Sequence, residues 1–155
     1  MKLAALEKRL GPGDRILLDT SALSAYFSTL EAVSLVAGKI VDDFVQTGRN
    51  FALVSTITAM ELFVRPLRVA PQGFPHVHTF LTHWPNLSLR DVDLQVAQEA
   101  ATLRATYNFS VPDALIIATG IVNQVAHLVT NDKAWATKLK PVASRVKIAL
   151  LGDYA

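Results

Sequence analysis

The sequence predicts an α/β protein of three layers, with helices on both faces of a central parallel sheet of about five strands. Two observations lead there. Short apolar runs alternate along the chain with segments of helical spacing. Those runs are apolar at successive rather than alternate positions, as strands covered on both faces are.

Ile16 to Leu18 is the first such run and ends at Asp19, after which the spacing turns helical at Thr20 and Ser21. That pattern predicts strand, cap and helix. Phe51 to Ser55 (FALVS) predicts a second strand feeding the helical pattern TITAMELF, which Pro66 is expected to end or disturb. Arg65 to Phe80, with Pro66, Pro71, Gly73 and Pro75, then reads as a loop, either a lid or a plain connection. Leu87 to Val92 is a third strand, and Val96, Ala100, Leu103 and Tyr107 form one apolar helical face. Pro112 stands where the first turn of the next helix begins, and Ala114 to Val122 is apolar on all sides, as a buried helix is. His127 to Thr130 and Val146 to Leu151 supply the fourth and fifth strands. Met1 to Asp14 precedes the first strand and is an added helix, an interface or a misassigned start. No internal repeat or low-complexity tract interrupts this order, so residues 1–155 are expected to form a single domain with 1–14 as an N-terminal extension.

Composition narrows the function classes. Of the 155 residues, 51% are hydrophobic, enough to bury a core without staples. Cysteine is absent, which excludes disulfides and zinc–thiolate sites and makes a cytoplasmic location the expectation. The opening MKLAALEKRL breaks its apolar run too early for a signal peptide, and Ala114 to Val122 falls far short of the ~20 residues of a membrane span. No Walker loop, GxGxxG or GxSxG element is present, and Asp19 is followed by Thr20 and Ser21 rather than by the second acid of a DxDxT phosphotransferase.

The formal net charge is only +2, but Lys133, Lys138, Lys140, Arg145 and Lys147 follow one another with no acid between them. This run is either a solvated face or a phosphate-contacting surface. His76 and His78 have the H-x-H spacing of a metal-binding strand but no other ligands nearby. Arg104 and Tyr107, one turn apart, either face the site, where they would hold a phosphate and a base, or serve as surface charge and core.

In open parallel sheets, ligands bind beyond the carboxyl ends of the strands. Asp19 ends the first strand, Glu61 lies on the helix after the second, Asp113 begins the buried helix and Asp132 follows the fourth strand. Each has an innocent reading. Asp19 and Asp132 are placed to cap helices, Glu61 to pair with Arg65, and Asp113 to sit at a positive helix end. If they converge, two carboxylates 4 Å apart repel by roughly 4 kcal/mol at an effective dielectric near 20, so the group needs protons or cations. An all-oxygen set suits Mg²⁺ or Mn²⁺, often with a substrate phosphate among the ligands.

These residues carry a resemblance. LLDTSAL around Asp19, TITAMELFVRP around Glu61, YNFSVPDALIIATG around Asp113 and LVTNDKAW around Asp132 resemble, in order and spacing, the acidic signatures of the PIN-domain family, nearest in flavour to VapC-like toxin ribonucleases. The resemblance implies a PIN-like fold and a metal-dependent endoribonuclease that hydrolyses phosphodiester bonds of single-stranded RNA. It implies Mg²⁺ or Mn²⁺ held by Asp19, Glu61, Asp113 and Asp132, of which Asp132 is the most variable position. Thr20, Ser21, Thr130 and Asn131 would orient ligands or waters. It also implies a homodimer and, in a toxin, a cognate antitoxin protein. The mean hydropathy of +0.31 and the apolar positions of Glu31 to Thr47 point to a dimer as well. Arg104, Lys133, Lys138 and Lys140 are the residues expected to touch RNA. The alternatives are a stand-alone RNA-processing nuclease and a catalytically silent PIN-fold binding or scaffold module, against which the intact acids argue.

Overall fold

The computed structural model describes residues 1–29 and 31–155. Five parallel strands, β1 (Arg15–Leu18), β2 (Phe51–Ser55), β3 (Leu87–Arg90), β4 (His127–Thr130) and β5 (Lys147–Leu150), form one sheet in the order β3-β2-β1-β4-β5. The two halves of the chain wind outward from β1, which pairs with β2 on one side and β4 on the other. That reversal of direction at β1 opens a crevice at the strands' carboxyl ends.

Residues alternate across the sheet as strand geometry requires. Ile16, Leu18, Ala52, Val54, Val129 and Ala149 enter one core, against α1 (Leu3–Arg9), α2 (Thr20–Phe27), α3 (Ala32–Gly38), α4 (Thr56–Val69) and α5 (Phe74–His83). Leu17, Leu53 and Leu128 enter the other, against α6 (Leu94–Tyr107), α7 (Val111–Val122) and α8 (Lys133–Lys138). Three layers result, as the apolar runs predict. Gly120 lets α7 press on the sheet, since a Cβ there would stand 2.6 Å from Leu128 Cδ2.

Four sequence-based expectations change. Pro66 does not end its helix: α4 runs to Val69, with Pro66 inside it and its carbonyl accepting from Ala70 N at 3.0 Å. Accordingly, Arg65 to Phe80 is no loop or lid. The end of α4, a 3₁₀ turn over Pro71–Gly73 and the start of α5 fill it, Pro71 and Pro75 being tolerated in first turns. The Glu31 to Thr47 segment is α3 followed by a π-helical stretch, Lys39–Val45, and the core takes Val36, Ala37, Ile40, Val41, Phe44 and Val45, leaving Leu35 exposed. Its apolar surplus is therefore small. Tyr107, the last member of the α6 stripe, is 37% exposed rather than core.

The N-terminal segment is a helix built into the fold. Leu6 of α1 and Leu10, which caps it, are fully buried, Lys2 N donates to Tyr154 O at 2.7 Å, and the Arg9 guanidinium donates to Ile148 O on β5.

Candidate active site

The site grows out of the turn between β1 and α2. Asp19 N donates to Val129 O at 3.1 Å, so the backbone of the residue after β1 is still tied to β4. Its side chain caps α2 by accepting from Ala22 N at 2.7 Å, which orients the carboxylate rather than leaving it to wander. Ser21 Oγ reaches Asp19 Oδ1 and Oδ2 at 2.9 and 3.0 Å, and Thr130 Oγ1 donates to Oδ2 at 2.7 Å. The same hydroxyls also accept: Ser21 Oγ from Asn131 N at 2.7 Å, and Thr130 Oγ1 from Asp132 N at 3.0 Å. One network thus joins β1, α2 and the β4–α8 turn around a single carboxylate.

Burial dominates the electrostatics. Asp19 is 3% exposed, and desolvation pushes its carboxyl up to about 6, although the Ala22 amide and the Thr130 and Ser21 hydroxyls pull the other way; the charge of Asp132 adds to the rise. Among the described residues no Lys, Arg or His forms an ion pair with Asp19, Glu61, Asp113 or Asp132. Asp19 is consequently a buried acid without a counter-charge.

The other acids arrive on three further elements. Glu61, on α4, is held by the Thr20 hydroxyl, with Thr58 Oγ1 3.2 Å from that hydroxyl. The ion pair with Arg65 that helical spacing allows does not form. Asp113 lies in the first turn of α7, and its amide receives a cap from Ser110 Oγ at 3.3 Å. Asp132 caps α8 by accepting from Ala134 N at 2.8 Å. The capping roles are real for Asp19 and Asp132, and they coexist with a shared location. All four acids line one cleft of about 500 Å³, together with Thr20, Ser21, Val64, Ile116 and Trp135.

Sequence reasoning missed several of these neighbours. Ser110 was legible as a cap three residues before Asp113, whereas Thr58, Val64, Ile116 and Trp135 belong to helical patterns that say nothing about a site. Asn131 takes part through its backbone amide rather than its side chain. Arg104 Nε donates to Phe109 O at 3.2 Å, tying α6 to the segment before α7. Lys133, Lys138 and Lys140 are exposed, and among the described residues neither they nor Arg104 line the cleft. Lys140 borders a separate hollow with Arg9 and Lys147, and Arg145 pairs with Glu99 at 2.6 Å. His76 and His78 are on helix α5, not on a strand, so their i, i+2 spacing aims them apart; His78 stacks on Phe63.

The donors fit a hard divalent cation in kind: they are oxygens only, and the central one is a buried carboxylate lacking positive charge. No three Asp, Glu or His side chains among the described residues converge on one point. Mg²⁺ does not require that, because it commonly binds through one or two carboxylates with waters and phosphate completing its shell.

A family model described as the PIN domain matches residues 16–138. The chain belongs to the PIN domain family. Comparison with curated proteins finds no match. Among solved structures, this PIN domain is similar to a toxin–antitoxin complex from Klebsiella pneumoniae, at 20% identity and a TM-score of 0.66 over 88% of this chain and 97% of that one. It is also similar to VapBC2 from Rickettsia felis bound to a promoter DNA fragment, at 15% identity and a TM-score of 0.68 over 88% and 98% of the two chains. A third is VapC20 of Mycobacterium tuberculosis, described as a sarcin–ricin loop cleaving toxin, at 14% identity and a TM-score of 0.64 over 79% and 93%. These likenesses establish the PIN-like α/β/α fold.

Proposed function

We propose that this PIN domain is a Mg²⁺- or Mn²⁺-dependent endoribonuclease acting on single-stranded RNA, and the toxin of a toxin–antitoxin pair. The observation that carries the reading is geometric: Asp19, a buried carboxylate that desolvation raises to about 6, shares one cleft with three more acids. PIN and VapC proteins are nucleases, and the similar structures include complexes of toxins with antitoxins. We read residues 1–155 as one domain, with 1–14 as an extension.

Asp19, Glu61 and Asp113, with Asp132, would hold the cation. When bound, it supplies Lewis acidity to a phosphodiester and to the water that attacks it in line. This chain's own residues do the positioning. Ser21 and Thr130 fix the Asp19 carboxylate in one orientation, and Thr20 fixes Glu61. Trp135, Ile116 and Val64 contribute apolar walls to the cleft. A carboxylate cluster repels a polyanion, so Lys133, Lys138, Lys140 and Arg104 would attract the RNA backbone from outside the cleft.

We further propose a homodimer with a cognate antitoxin, in the cytoplasm. Among the described residues no helix is long and apolar enough to cross a membrane. On the outer face of α4, Met60, Val64 and Leu67 recur at helical spacing and are 51%, 38% and 62% exposed, a better source of apolar contact than the 31–47 segment. The deciding experiment incubates the purified protein with a mixed single-stranded RNA pool. Cleavage with Mg²⁺ or Mn²⁺ that stops in EDTA is expected. Cleavage indifferent to chelator would overturn the metal-dependent mechanism, and an intact pool would overturn the nuclease.

A further inference from the structure

Glu61 borders two hollows. One is the acidic cleft; the other, of about 420 Å³, lies between the end of α2 and the flanks of α4 and α5. Its wall carries Phe27, the hydroxyl-bearing Ser24, Ser28 and Thr29, and Arg65, with Leu62, Pro66 and Val77 as its apolar part. Phe27 is 41% exposed, a large value for a phenylalanine, yet its ring is braced by Tyr26 at 5.3 Å and by Phe80 edge-on at 5.2 Å. Arg65 stands one helical turn beyond Glu61, about 6 Å along α4, and forms no ion pair among the described residues.

We propose that this second hollow is a nucleotide subsite. It receives the unpaired base next to the phosphodiester held in the acidic cleft, with Phe27 as the stacking platform and Arg65 on the adjoining phosphate. The inference rests on the ribonuclease reading above. An aromatic face and a free guanidinium are what proteins offer to splayed bases of single strands, whereas a paired base presents neither face. The hydroxyls supply donors and acceptors for base edges or a 2′-hydroxyl. The volume lies in the range of small-ligand pockets, which suits one nucleotide. The contrast with the far flank of α4 is informative: the hollow along Met60, Val64 and Leu67 is almost wholly apolar and has no arginine among its lining residues. Of the two flanks, the Phe27 side combines an aromatic ring, hydroxyl-bearing residues and an arginine without an ion pair among the described residues, beside a candidate catalytic acid.

The test uses a single-stranded RNA oligonucleotide with one mapped cut site, and a series in which each position near the cut is replaced in turn by an abasic nucleotide. Wild-type protein should lose about tenfold in kcat/KM at one position beside the cut, as expected for a lost base stack. Phe27→Leu should lose about tenfold on the intact RNA and little more at that one abasic position, while Phe27→Trp keeps the wild-type pattern. Arg65→Gln, at an exposed position, should raise KM with kcat nearly unchanged and an unchanged circular dichroism spectrum. Losses that multiply at every position overturn the subsite. So does a Phe27→Leu protein with wild-type RNA kinetics, the result expected if the hollow receives a protein segment instead. RNA that wild type never cuts overturns the nuclease reading and the subsite together, whereas cleavage without coupling overturns the subsite alone.

Discussion

Among the described residues the two ends of the parallel sheet each bury one titratable side chain, Asp19 where β1 finishes and His127 where β4 starts, and they treat it differently. Both groups are shifted toward their neutral forms. Burial raises the Asp19 carboxyl to about 6 and lowers the His127 imidazole, which Arg9 and Lys147 depress further and Asp14 only partly restores. Their partners differ. Asp19 is gripped by an amide and two hydroxyls, whereas His127 Nδ1 lies 3.6 Å from Asp14 Oδ2, too far for a hydrogen bond, and has no partner among the described residues. With its pKa lowered, His127 is a neutral core residue and not half of an ion pair. The lesson is that the carboxyl end orients a costly charge, whereas the amino end avoids one.

The sharpest test of that division is activity. Asp113→Asn should reduce RNA cleavage by at least about a thousandfold, roughly 4 kcal/mol of transition-state stabilisation, with an unchanged circular dichroism spectrum. Unreduced cleavage would remove Asp113 from the site. At the other end, Asn50 is fully buried and its Nδ2 donates to Gly11 O at 2.8 Å and Asp14 O at 2.9 Å. Asn50→Ala strips both carbonyls of a donor and should cost about 2 kcal/mol in denaturant unfolding while kcat stays as in wild type. A large loss of kcat would blur the two ends' roles.

Charging Asp19 costs stability. The carboxyl is raised from an ordinary 3.8, so the penalty is absent below pH ~4, grows between pH ~4 and ~6, and is constant above; at ~1.4 kcal/mol per pH unit it is on the order of 3 kcal/mol. Asp19→Asn, which keeps the shape but loses an acceptor, should therefore gain about 1–2 kcal/mol at pH 7 without metal and lose about 1 kcal/mol at pH 4. Added Mg²⁺ should narrow that gap by stabilising only the aspartate form. A gain independent of pH would contradict the burial argument. The smallest effect belongs to His127. Its folded pKa is depressed, so its stabilising contribution is present above its ordinary value of 6.5 and is lost as pH falls and the unfolded chain takes up a proton. His127→Gln should flatten the acid limb of the stability curve between pH 7 and pH 5, and an unchanged limb would mean that other groups set it.

Much of this architecture was legible because it rests on local chemistry. Apolar runs such as FALVS and HLVT mark their strands at Phe51–Ser55 and His127–Thr130 to the residue, and the position of Asp19 after such a run placed it at the carboxyl end of the sheet. Prolines misled. Pro66 is inside a helix because the flank of α4 packs against α2 and α5, a tertiary gain that outweighs one missing donor and that no local rule contains. The exposure of Tyr107 and the engagement of Arg104 with Phe109 likewise depend on where α7 folds back. The cleft itself was legible only as four acids at one end; that Thr20 takes Glu61 from Arg65 required three dimensions.

The grip of Arg9 on the Ile148 carbonyl has a consequence for the protein in concentrated solution. Parallel sheets have two open edges, and an unpaired row of amides and carbonyls is a template on which another molecule can add a strand. On β5 the outward carbonyl of Ile148 is already taken by a charged side chain from α1. At the opposite edge, β3 is four residues long and exposes Ser88 and Arg90. One margin is stoppered by the N-terminal helix, the other by brevity and charge, so the sheet is guarded against growing from molecule to molecule into fibrils.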